Sequence, residues 1–563
     1  MMIRSSGHPT QRTAEDTRRP RVTERHLEVE RKYDADADLP SPDLSGLPGV
    51  ADVRGSRPVR LHAAYFDTPD LRLAVRGITL RRRRGRADAG WHLKLPVPGG
   101  KLEVREPLGR RAEAVPGRLA SLVVAYTRGE PLRQVAVLET RRRATVLLDE
   151  NDVPLAEVAD DAVTGTVLAT GSAEEADAGG GTATRWREVE VEVVTGPATL
   201  LDAVEERLLA AGAHASSASS KLVRLLGVDD QDGGRGEEDV AAPRRSVGDV
   251  VVAALSAQVD ALLRHDPAAR CGEDDAVHKM RVAARRTRAI LRAYGPLFER
   301  GGIRPVMDEL RWLGRVLGEV RDLEVLRARL AARVREATAP DAEAGAAALP
   351  RHGPGAFVRV EDPPPAGAEP GGTAGAEPGG TTGVRAAPSW LVELGEEEQR
   401  AYRRMNVTLC EPRYLALLDA LDALVADPPC TSRARRPATA EMPALIDRAR
   451  RRLARKYAAL DGGPEDVATA RHDVRKAAKG VRYAAETAAP VLGVGAERTA
   501  RRAKAVQTAL GEHMDALLTM RRVERAAAGV RDPAEAFTLG RIHALEQHAA
   551  EESLARFTEA RNA

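Results

Sequence analysis

The chain has 563 residues, of which 43% are hydrophobic and 30% are charged, so it is long enough for two or more domains with substantial cores. Its 86 basic and 83 acidic residues leave a formal net charge of only +3, so overall charge alone predicts no particular partner. Three cysteines without metal-ligand spacing exclude a disulfide framework and predict free thiols in a reducing compartment.

Residues 1–23 form a polar, basic stretch without periodicity, for which we predict a disordered lead-in. This stretch lacks an apolar signal core, and nowhere does the sequence reach the roughly 18 consecutive apolar residues of a membrane span. We therefore expect a cytoplasmic protein that contacts no membrane.

Residues 26–33 alternate with period two and predict a β-strand. Glu28, Glu30 and Lys32 then share one face of that strand. At about 4 Å two carboxylates repel by roughly 4 kcal/mol at an effective dielectric constant of about 20, so an inward-facing pair needs a cation. A strand with one solvated face is the plainer alternative, because charged alternation is common on antiparallel sheets.

A second acidic row occurs in residues 186–194, where glutamates alternate with valines in a composition typical of strands. Between the two acidic strands lie basic ones, at residues 80–84, 91–95 and 139–143. A sheet with this order can place carboxylates for a metal and guanidinium groups for phosphate around one space. The pattern indicates a site for a metal-bound polyphosphate.

Several motifs of this region follow one another in an order that resembles the CYTH superfamily, the triphosphate tunnel metalloenzymes. They are Glu28-x-Glu30-x-Lys32, Tyr65-Phe66-Asp67-Thr68, Leu80-Arg81-x-Arg83, Trp91-x-Leu93-Lys94 and Glu188-x-Glu190. The resemblance covers residues 24–228 and implies an eight-stranded antiparallel β-barrel with helices, whose polar interior is a tunnel. It also implies that this tunnel binds a triphosphate and one or two divalent metals, Mg²⁺ or Mn²⁺.

The resemblance assigns roles to single residues of the tunnel. The residues expected to act in catalysis are Glu28, Glu30 and Lys32. The expected metal ligands are Glu28, Glu30, Asp160, Glu188 and Glu190, with Asp161 as an alternative to Asp160. The bases expected to bind the substrate are Arg81, Arg83, Lys94, Arg142 and Lys221. A shift of one residue in strand register would exchange Arg142 for Arg141 or Arg143.

A metal held by carboxylates can bridge phosphate oxygens while water attacks a terminal phosphorus in line, and nearby bases neutralise the developing charge. We therefore expect metal-dependent hydrolysis of inorganic triphosphate or a related triphosphate. Two alternatives stay open: a non-catalytic protein that holds polyphosphate at granules, and a nucleotide-acting enzyme that resembles an adenylate cyclase. The second alternative needs a nucleobase pocket, which the sequence does not identify.

Residues 229–244 are polar and acidic and predict a linker. After it the hydrophobic period becomes helical, and strand patterns do not return. We therefore predict an α+β multidomain chain whose C-terminal part, residues 245–530, is an all-α pair of helical bundles. A low-complexity insertion at residues 338–390 separates the bundles, and residues 531–563 form a last helix.

The helical part contains an internal repeat. Each copy places a histidine and three basic residues at offsets of 0, 3, 7 and 10. The two sets are His278, Arg281, Arg285 and Arg288, and His472, Arg475, Lys479 and Arg482. On a helix at about 100° per residue each set falls within roughly 80° of arc and forms a basic stripe. A solvated helix face is the plainer alternative, which repetition at the same offsets disfavours.

Both copies continue with a Leu-Gly-Glu element, at residues 317–319 and 510–512. Stripes and elements together resemble the CHAD family, the conserved histidine α-helical domain. The resemblance implies binding of inorganic polyphosphate along a basic groove, and we expect no specific binding of nucleic acid. The sequence predicts neither the preferred triphosphate nor the oligomeric state.

Overall fold

The computed structural model describes residues 25–84, 89–97, 100–109, 113–168, 183–228, 246–338 and 388–563. The predicted lead-in, the predicted linker and residues 339–387 of the predicted insertion lie outside the described residues. The described part of the chain divides into two compact units. The first unit takes its residues from Met1–Leu317, Arg404–Asp447 and Glu486–Val494, and the second from Gly318–Arg403, Arg448–Ala485 and Gly495–Ala563.

The first unit contains an antiparallel sheet, which has eleven strands among the described residues. They are β1 (Arg25–Glu28), β2 (Glu30–Ala35), β3 (Asp52–Gly55), β4 (Val59–Asp67), β5 (Thr79–Arg84), β6 (Gly90–Val97), β7 (Gly100–Pro107), β8 (Arg133–Leu148), β9 (Pro154–Val167), β10 (Ala183–Val193) and β11 (His214–Ala215). Neighbouring strands follow the order β1-β7-β6-β5-β4-β8-β9-β10-β2-β11, and β3 pairs with β8.

Strands near the two ends of this sheet are consecutive in the chain. β1 pairs with β7, β2 pairs with β10, and only Val29 separates β1 from β2. The N–H of Val193 also donates to the carbonyl oxygen of Val29 at 3.0 Å. The structure confirms the predicted antiparallel sheet with helices. Its strand pairing is an open path of eleven strands among the described residues, in place of the predicted eight-stranded barrel, and the short interruption at Val29 links β1 to β2.

Alternation along residues 188–193 of β10 separates a charged inner face from an apolar outer face. The glutamates of this strand point inward, so Val189 and Val191 point outward and are buried. The helix α2 (Thr199–Ala210) covers them with Leu200, Val204 and Leu208, which belong to the same buried cluster. Burial of each such side chain contributes about 1.5–3 kcal/mol. This packing fixes the face that β10 turns toward the interior.

A short helix, α3 (Lys221–Leu226), brings the end of this domain to the inner face. Its N-cap is Ser220, whose Oγ accepts a hydrogen bond from the N–H of Val223 at 3.2 Å. Leu222 is buried in one cluster with Tyr65 and other apolar residues of the inner face. Gly165 allows this close approach, because a Cβ there would lie 2.8 Å from the Leu225 side chain.

The helix α1 (Gly117–Thr127) joins the sheet to two helices of the first unit, α4 (Val247–Cys271) and α8 (Pro412–Ala426). The Tyr126 hydroxyl donates to the carbonyl oxygen of Leu263 in α4 at 2.9 Å. Arg128 caps α1 and binds Asp419 and Asp422 of α8 at 3.0 and 2.6 Å. Its φ of 56° is left-handed, which costs a non-glycine residue about 1 kcal/mol or more. The two ion pairs offset this strain.

The rest of the described chain is mainly helical, as predicted. The other helices are α5 (Ala276–Ala293), α6 (Arg300–Thr338), α7 (Ser389–Thr408), α9 (Ala438–Asp461), α10 (Val467–Leu492), α11 (Val494–Ala527) and α12 (Pro533–Asn562). In the second unit, Val474 of α10 packs with Leu510 of α11 and Phe557 of α12. Across the described residues, no helix combines the length and the hydropathy that crossing a membrane demands. The three cysteines are free thiols.

Candidate functional site

A cavity of about 140 Å³ lies on the inner face of the sheet in the first unit. Its described lining consists of eight basic, three acidic and four uncharged residues. The basic ones are Lys32, Arg81, Arg83, Lys94, Lys101, Arg105, Arg142 and Lys221; the acidic ones are Glu30, Glu190 and Glu192; the others are Tyr65, Gly77, Thr79 and Ser220. Bases therefore exceed acids, which makes the cavity a site for an anion that carries several charges.

The acidic side of the cavity is neutralised by lysines. Glu30 binds Lys101 at 2.9 Å and Lys32 at 3.3 Å, and Lys32 also binds Glu190. Burial alone would raise the pKa of Glu30, but Lys32 and Lys101 outweigh it and lower that pKa to about 2. Burial opposes the charge of Glu190 in the same way, and Lys221 and Lys32 lower its pKa well below the ordinary value. Both carboxylates are therefore ionised at neutral pH.

Lys221 connects three carboxylates at the centre of the network. Its Nζ lies 2.7 Å from Glu188, 2.7 Å from Glu190 and 3.0 Å from Asp161. Burial opposes the ammonium charge, but Glu190 and Asp161 outweigh it and raise the pKa of Lys221. Arg142 holds the fully buried Asp161 with two parallel hydrogen bonds of 2.8 and 2.6 Å. The Arg142–Asp161 pair has the rigid bidentate geometry that fixes a guanidinium in place.

The expected metal ligand Asp160 lies on the wrong face of its strand. Its two carboxylate oxygens bind Arg187 at 2.9 Å each, outside the cavity lining. The pairing of β8 with β9 aligns Arg142 with Asp161, and consecutive residues of a strand point to opposite faces. The structure therefore places Asp160 outside the cavity, and the alternative, Asp161, takes the inner face. The same register places Arg142 in the cavity in preference to Arg141 and Arg143.

The arginine run of β5 alternates between two environments. Arg81 and Arg83 line the cavity, whereas Arg82 packs outside it over the rings of Phe66 and Trp91, at 5.7 and 5.8 Å. Glu103 of β7 is buried on the same strand face as Lys101 and Arg105 and lies 3.6 Å from the Arg81 guanidinium. Glu103 also binds Arg105, so one buried acid positions two cavity-lining bases.

Eight of the residues predicted for the tunnel line this one cavity. They are Glu30, Lys32, Arg81, Arg83, Lys94, Arg142, Glu190 and Lys221. Glu188 is buried next to the cavity, where it binds Lys221 and accepts a hydrogen bond from the Trp186 indole at 2.5 Å. The side chain of Glu28 lies outside the described residues, although its backbone pairs with Lys101.

Three charged residues of the lining were not among the predicted site residues. Lys101 and Arg105 belong to β7, where the charges of residues 101, 103 and 105 alternate with apolar residues. Glu192 continues the period-two acidic row of β10 and stands opposite Glu30 in the register with β2. The same alternation that identified the other strands was therefore present in both segments.

Asp67 of the Tyr-Phe-Asp-Thr motif shapes the cavity wall from behind. Its buried carboxylate accepts hydrogen bonds from the backbone N–H groups of Thr68, Leu73 and Ala74, at 2.7 to 3.0 Å. These bonds fold the turn that leads to Gly77, where a φ of 67° is easy for glycine. The motif thus has a structural role, and it presents Gly77 and the start of β5 to the cavity.

The two basic stripes lie on α5 and α10, and their side chains are half-buried. On α5, burial and the neighbouring Arg311 lower the pKa of Arg288. On α10, burial and then Lys476 and Arg475 lower the pKa of His472. Basic groups crowd both places, which favours the approach of an anion.

Close packing against Arg475 explains the glycine of the second Leu-Gly-Glu element. A Cβ on Gly511 would lie 3.0 Å from the Arg475 guanidinium, so this arginine of the stripe lies against α11. Arg482 of the same stripe donates to the side-chain oxygen of Gln507 at 3.4 Å. Part of the second stripe is therefore oriented by α11, which explains why stripe and glycine occur together.

The pKa of Glu30 leads to a prediction for acid stability. A carboxyl group with a pKa lowered from 4.5 to about 2 adds stability above pH 4.5, and that stability is lost as pH falls through 2. We expect the wild type to exceed Glu30→Gln in free energy of unfolding at pH 7. The difference should shrink between pH 4.5 and 2 in urea unfolding monitored at a series of pH values. A difference that grew toward low pH would contradict the ion pairs of Glu30.

Comparison with known proteins identifies both halves of the chain. The CYTH domain model matches residues 26–225, and the CHAD domain model matches residues 253–524. The chain belongs to the family of proteins in which a CYTH domain is followed by a CHAD domain. CYTH domains are triphosphate tunnel enzymes, which bind triphosphates and generally depend on divalent metals.

One relative is the "Uncharacterized protein MT2285" of Mycobacterium tuberculosis, strain CDC 1551 / Oshkosh, with 35% identity over 94% of each chain. Among solved structures, PptA from Streptomyces chartreusis shares 23% identity, covers 56% of this chain and all of its own, and has a TM-score of 0.41. A putative adenylyl cyclase, HpAC1 from Hippeastrum, described as having a dominant triphosphatase activity, shares 20% identity. It covers 36% of this chain and 97% of its own, with a TM-score of 0.21.

The carboxylates of the cavity fit a divalent cation in their chemistry. Glu30, Glu190 and Glu192 offer oxygen donors on the adjacent strands β2 and β10, and Glu30 and Glu190 are ionised; Mg²⁺ and Mn²⁺ prefer such donors. Within the described residues, no three carboxylate, imidazole or thiol side chains converge as a ready-made metal site. Lysines stand between the acids instead.

Proposed function

We propose that the CYTH domain hydrolyses inorganic triphosphate, or a related triphosphate, with Mg²⁺ or Mn²⁺, and that the CHAD domain binds polyphosphate. The observation that carries the first part is the cavity itself. Eight basic side chains and three carboxylates line one small space, so phosphate oxygens and a cation can be held side by side.

The bases of the cavity bind and orient the phosphate chain. Arg81 and Arg105 are held by the buried Glu103, and Arg142 is held by Asp161, so their guanidinium groups are positioned before a ligand arrives. Preorganised donors of this kind neutralise the charge that develops on the transferred phosphoryl group. Lys32 and Lys221 supply ammonium groups at the acidic wall, where phosphate oxygens can also accept from them.

The carboxylates suit the role of ligands better than that of proton acceptors. Glu30 and Glu190 have lowered pKa values, and a general base works best when its pKa lies near the working pH. Glu30, Glu190 and Glu192 would hold the divalent cation, which supplies charge neutralisation at phosphate oxygens and a more acidic water when bound. The lining contains neither histidine nor cysteine among its described residues, which fits direct hydrolysis by water.

Phosphate release from a substrate panel tests this function. Inorganic triphosphate, ATP, thiamine triphosphate and long-chain polyphosphate are incubated with purified full-length protein and Mg²⁺, Mn²⁺ or EDTA. We expect metal-dependent release that is fastest with inorganic triphosphate. Binding of triphosphate without release under every metal condition would favour the non-catalytic alternative, and cyclic AMP formed from ATP would favour the cyclase alternative.

Polyphosphate binding by the CHAD domain is supported by the two stripes on α5 and α10. Cations contact phosphate oxygens directly, and a polyanion releases counterions when several charges are neutralised, so its affinity falls steeply with salt. The triple variant Arg281→Gln, Arg285→Gln and Arg288→Gln should lower the affinity of the full-length protein for long-chain polyphosphate. It should also reduce the salt slope by about one for each arginine that binds a phosphate group in the wild type.

A matched control removes the same charge elsewhere. Arg448, Arg451 and Arg455 are exposed on α9, and their replacement by glutamine should change affinity little. The stripe assignment would be abandoned if both triple variants behaved alike, or if duplex DNA of matched charge bound as tightly as polyphosphate at equal salt.

A further inference from the structure

The acidic wall of the cavity already contains cations, and they are the protein's own. Lys101 lies 2.9 Å from Glu30, Lys32 binds Glu30 and Glu190, and Lys221 lies 2.7 Å from Glu190. These ammonium groups occupy positions next to the carboxylate oxygens that a divalent cation needs. In the part of the chain that the structure describes, no group of three carboxylate, imidazole or thiol side chains is arranged to hold a metal ion.

The lysines and the arginines of the cavity differ in the geometry of their charged groups. Arg142 is fixed to Asp161 by a bidentate pair, whereas each lysine ends in a single ammonium group on a flexible stem. An ammonium group has three donors and no preferred plane, so it can turn from a carboxylate to a phosphate oxygen. A ligand that carries several phosphate charges therefore competes with the carboxylates for the lysines more easily than for Arg142.

Movement of the lysines changes what the carboxylates require. Glu192 stands opposite Glu30 in the strand register, and Glu190 lies two residues from Glu192 on the same face. When the ammonium partners of Glu30 and Glu190 turn to phosphate, these two carboxylates and Glu192 repel one another, and a divalent cation relieves that repulsion. The bound phosphate chain and the metal thus favour each other, and this coupling is reciprocal.

We propose that Lys101, with Lys32 and Lys221, holds the place of the divalent cation before a ligand binds, and that a triphosphate must draw these lysines away before the metal binds tightly. The inference rests on the proposed triphosphate function and adds an order of binding to it. Triphosphate then binds to the metal-free protein, and the metal binds weakly to the protein without triphosphate.

Lys101 offers the sharpest test, because it contacts Glu30 and is separate from the Glu-x-Glu-x-Lys motif. Its Nζ also donates to the carbonyl oxygen of Ser219 at 2.6 Å, and a glutamine amide can keep a donor on this side chain. Binding of Mn²⁺ to the full-length protein is measured by calorimetry and by electron paramagnetic resonance in the absence of any phosphate. Lys101→Gln should bind Mn²⁺ about tenfold more tightly than the wild type, within the usual range of coupling between sites.

Arg83→Gln is the matched control, since Arg83 lines the same cavity from β5 and its replacement removes the same charge. We expect a much smaller gain in Mn²⁺ affinity for this variant. The double variant Glu30→Gln with Lys101→Gln should lose the gain, because the carboxylate that Lys101 releases is gone. Lys101→Met serves as a second variant if Lys101→Gln does not fold, as judged by circular dichroism.

Equal Mn²⁺ affinities for Lys101→Gln and Arg83→Gln would overturn the inference, as would tight binding of Mn²⁺ to the phosphate-free wild type. A separate titration with inorganic triphosphate in EDTA distinguishes this failure from failure of the proposed function. Triphosphate that binds while Lys101→Gln shows no gain leaves the function standing and removes the order of binding. If triphosphate bound neither with nor without metal, both the proposed function and the order of binding would be refuted.

Discussion

Lys221→Met should lower the free energy of unfolding of the sheet domain by about 3–5 kcal/mol, the usual cost of breaking a buried ion pair from one side. The reason is that Lys221 is the shared cation of Asp161, Glu188 and Glu190, and the first two are buried. Methionine preserves much of the volume but leaves these carboxylates with less compensating charge. Thermal unfolding and hydrogen exchange of the β9 and β10 amides measure the loss globally and locally.

Two further variants separate the ion pairs from other effects of the substitution. Lys456→Met removes a lysine from a partly exposed pair with Asp473, at 2.7 Å, and should cost at most about 1 kcal/mol. Glu188→Gln in the Lys221→Met background should recover part of the lost stability, because it removes one of the uncompensated charges. If Lys221→Met left the free energy of unfolding unchanged, the network would not stabilise the sheet.

Glu190→Gln should reduce metal-dependent phosphate release by more than about a hundredfold, since even the outer-shell partners of metal ligands cost about 10–100-fold when removed. Glu190 lines the cavity and contacts Lys32, Arg142 and Lys221, so its charge lies where the cation and the bases meet. Binding of triphosphate in EDTA should persist in this variant, because the excess of bases over acids increases.

The control for this variant is Glu139→Gln. Glu139 is exposed on β8, three residues before Arg142 and therefore on the opposite face of the strand. We expect its activity to equal that of the wild type. Full activity of Glu190→Gln with Mg²⁺ or Mn²⁺ would remove Glu190 from the proposed metal site.

Alternation in the sequence predicted most of the cavity because a strand leaves only two choices for each side chain. Once Glu30 faced inward, Lys32 followed, and Glu188 with Glu190 and Arg81 with Arg83 obeyed the same rule. The choice between Asp160 and Asp161 stayed open in the sequence, since the two acids are adjacent and alternation within one strand does not say which of them faces inward. Pairing between β8 and β9 decides that question, and register between distant strands is a property of the folded sheet.

The electrostatic environment of the acidic row in the folded protein differs from the one that its own sequence predicts. Two glutamates on one strand predict repulsion, which a metal or a proton must relieve. In the folded protein Lys101 comes from β7 and Lys221 from α3, far from Glu30 in sequence, and they reverse the sign of the effect on the carboxylates they contact. Compensation of this kind depends on tertiary contacts and is invisible in a local motif.

The helical half was predictable in type and in its repeat, but its division was not. The helical period identified the helices, and equal offsets identified the two stripes. The sequence predicted a linker at residues 229–244 between the sheet and the helices. In the structure α1 contacts α4 and α8 within the first unit, through residues such as Tyr126 that carry no distinctive local pattern.

The junction formed by Tyr126 and Arg128 has a practical consequence for dissecting the protein. A fragment that ends after the CYTH domain would leave the Tyr126 hydroxyl without the Leu263 carbonyl and Arg128 without Asp419 and Asp422. Its left-handed cap would then keep its strain without the ion pairs that offset it. Arg128→Gly should therefore help the isolated fragment and harm the intact chain. If Arg128→Gly raised the free energy of unfolding of the fragment and lowered that of the intact chain, the boundary between folding units would lie inside the helical half and not at the linker.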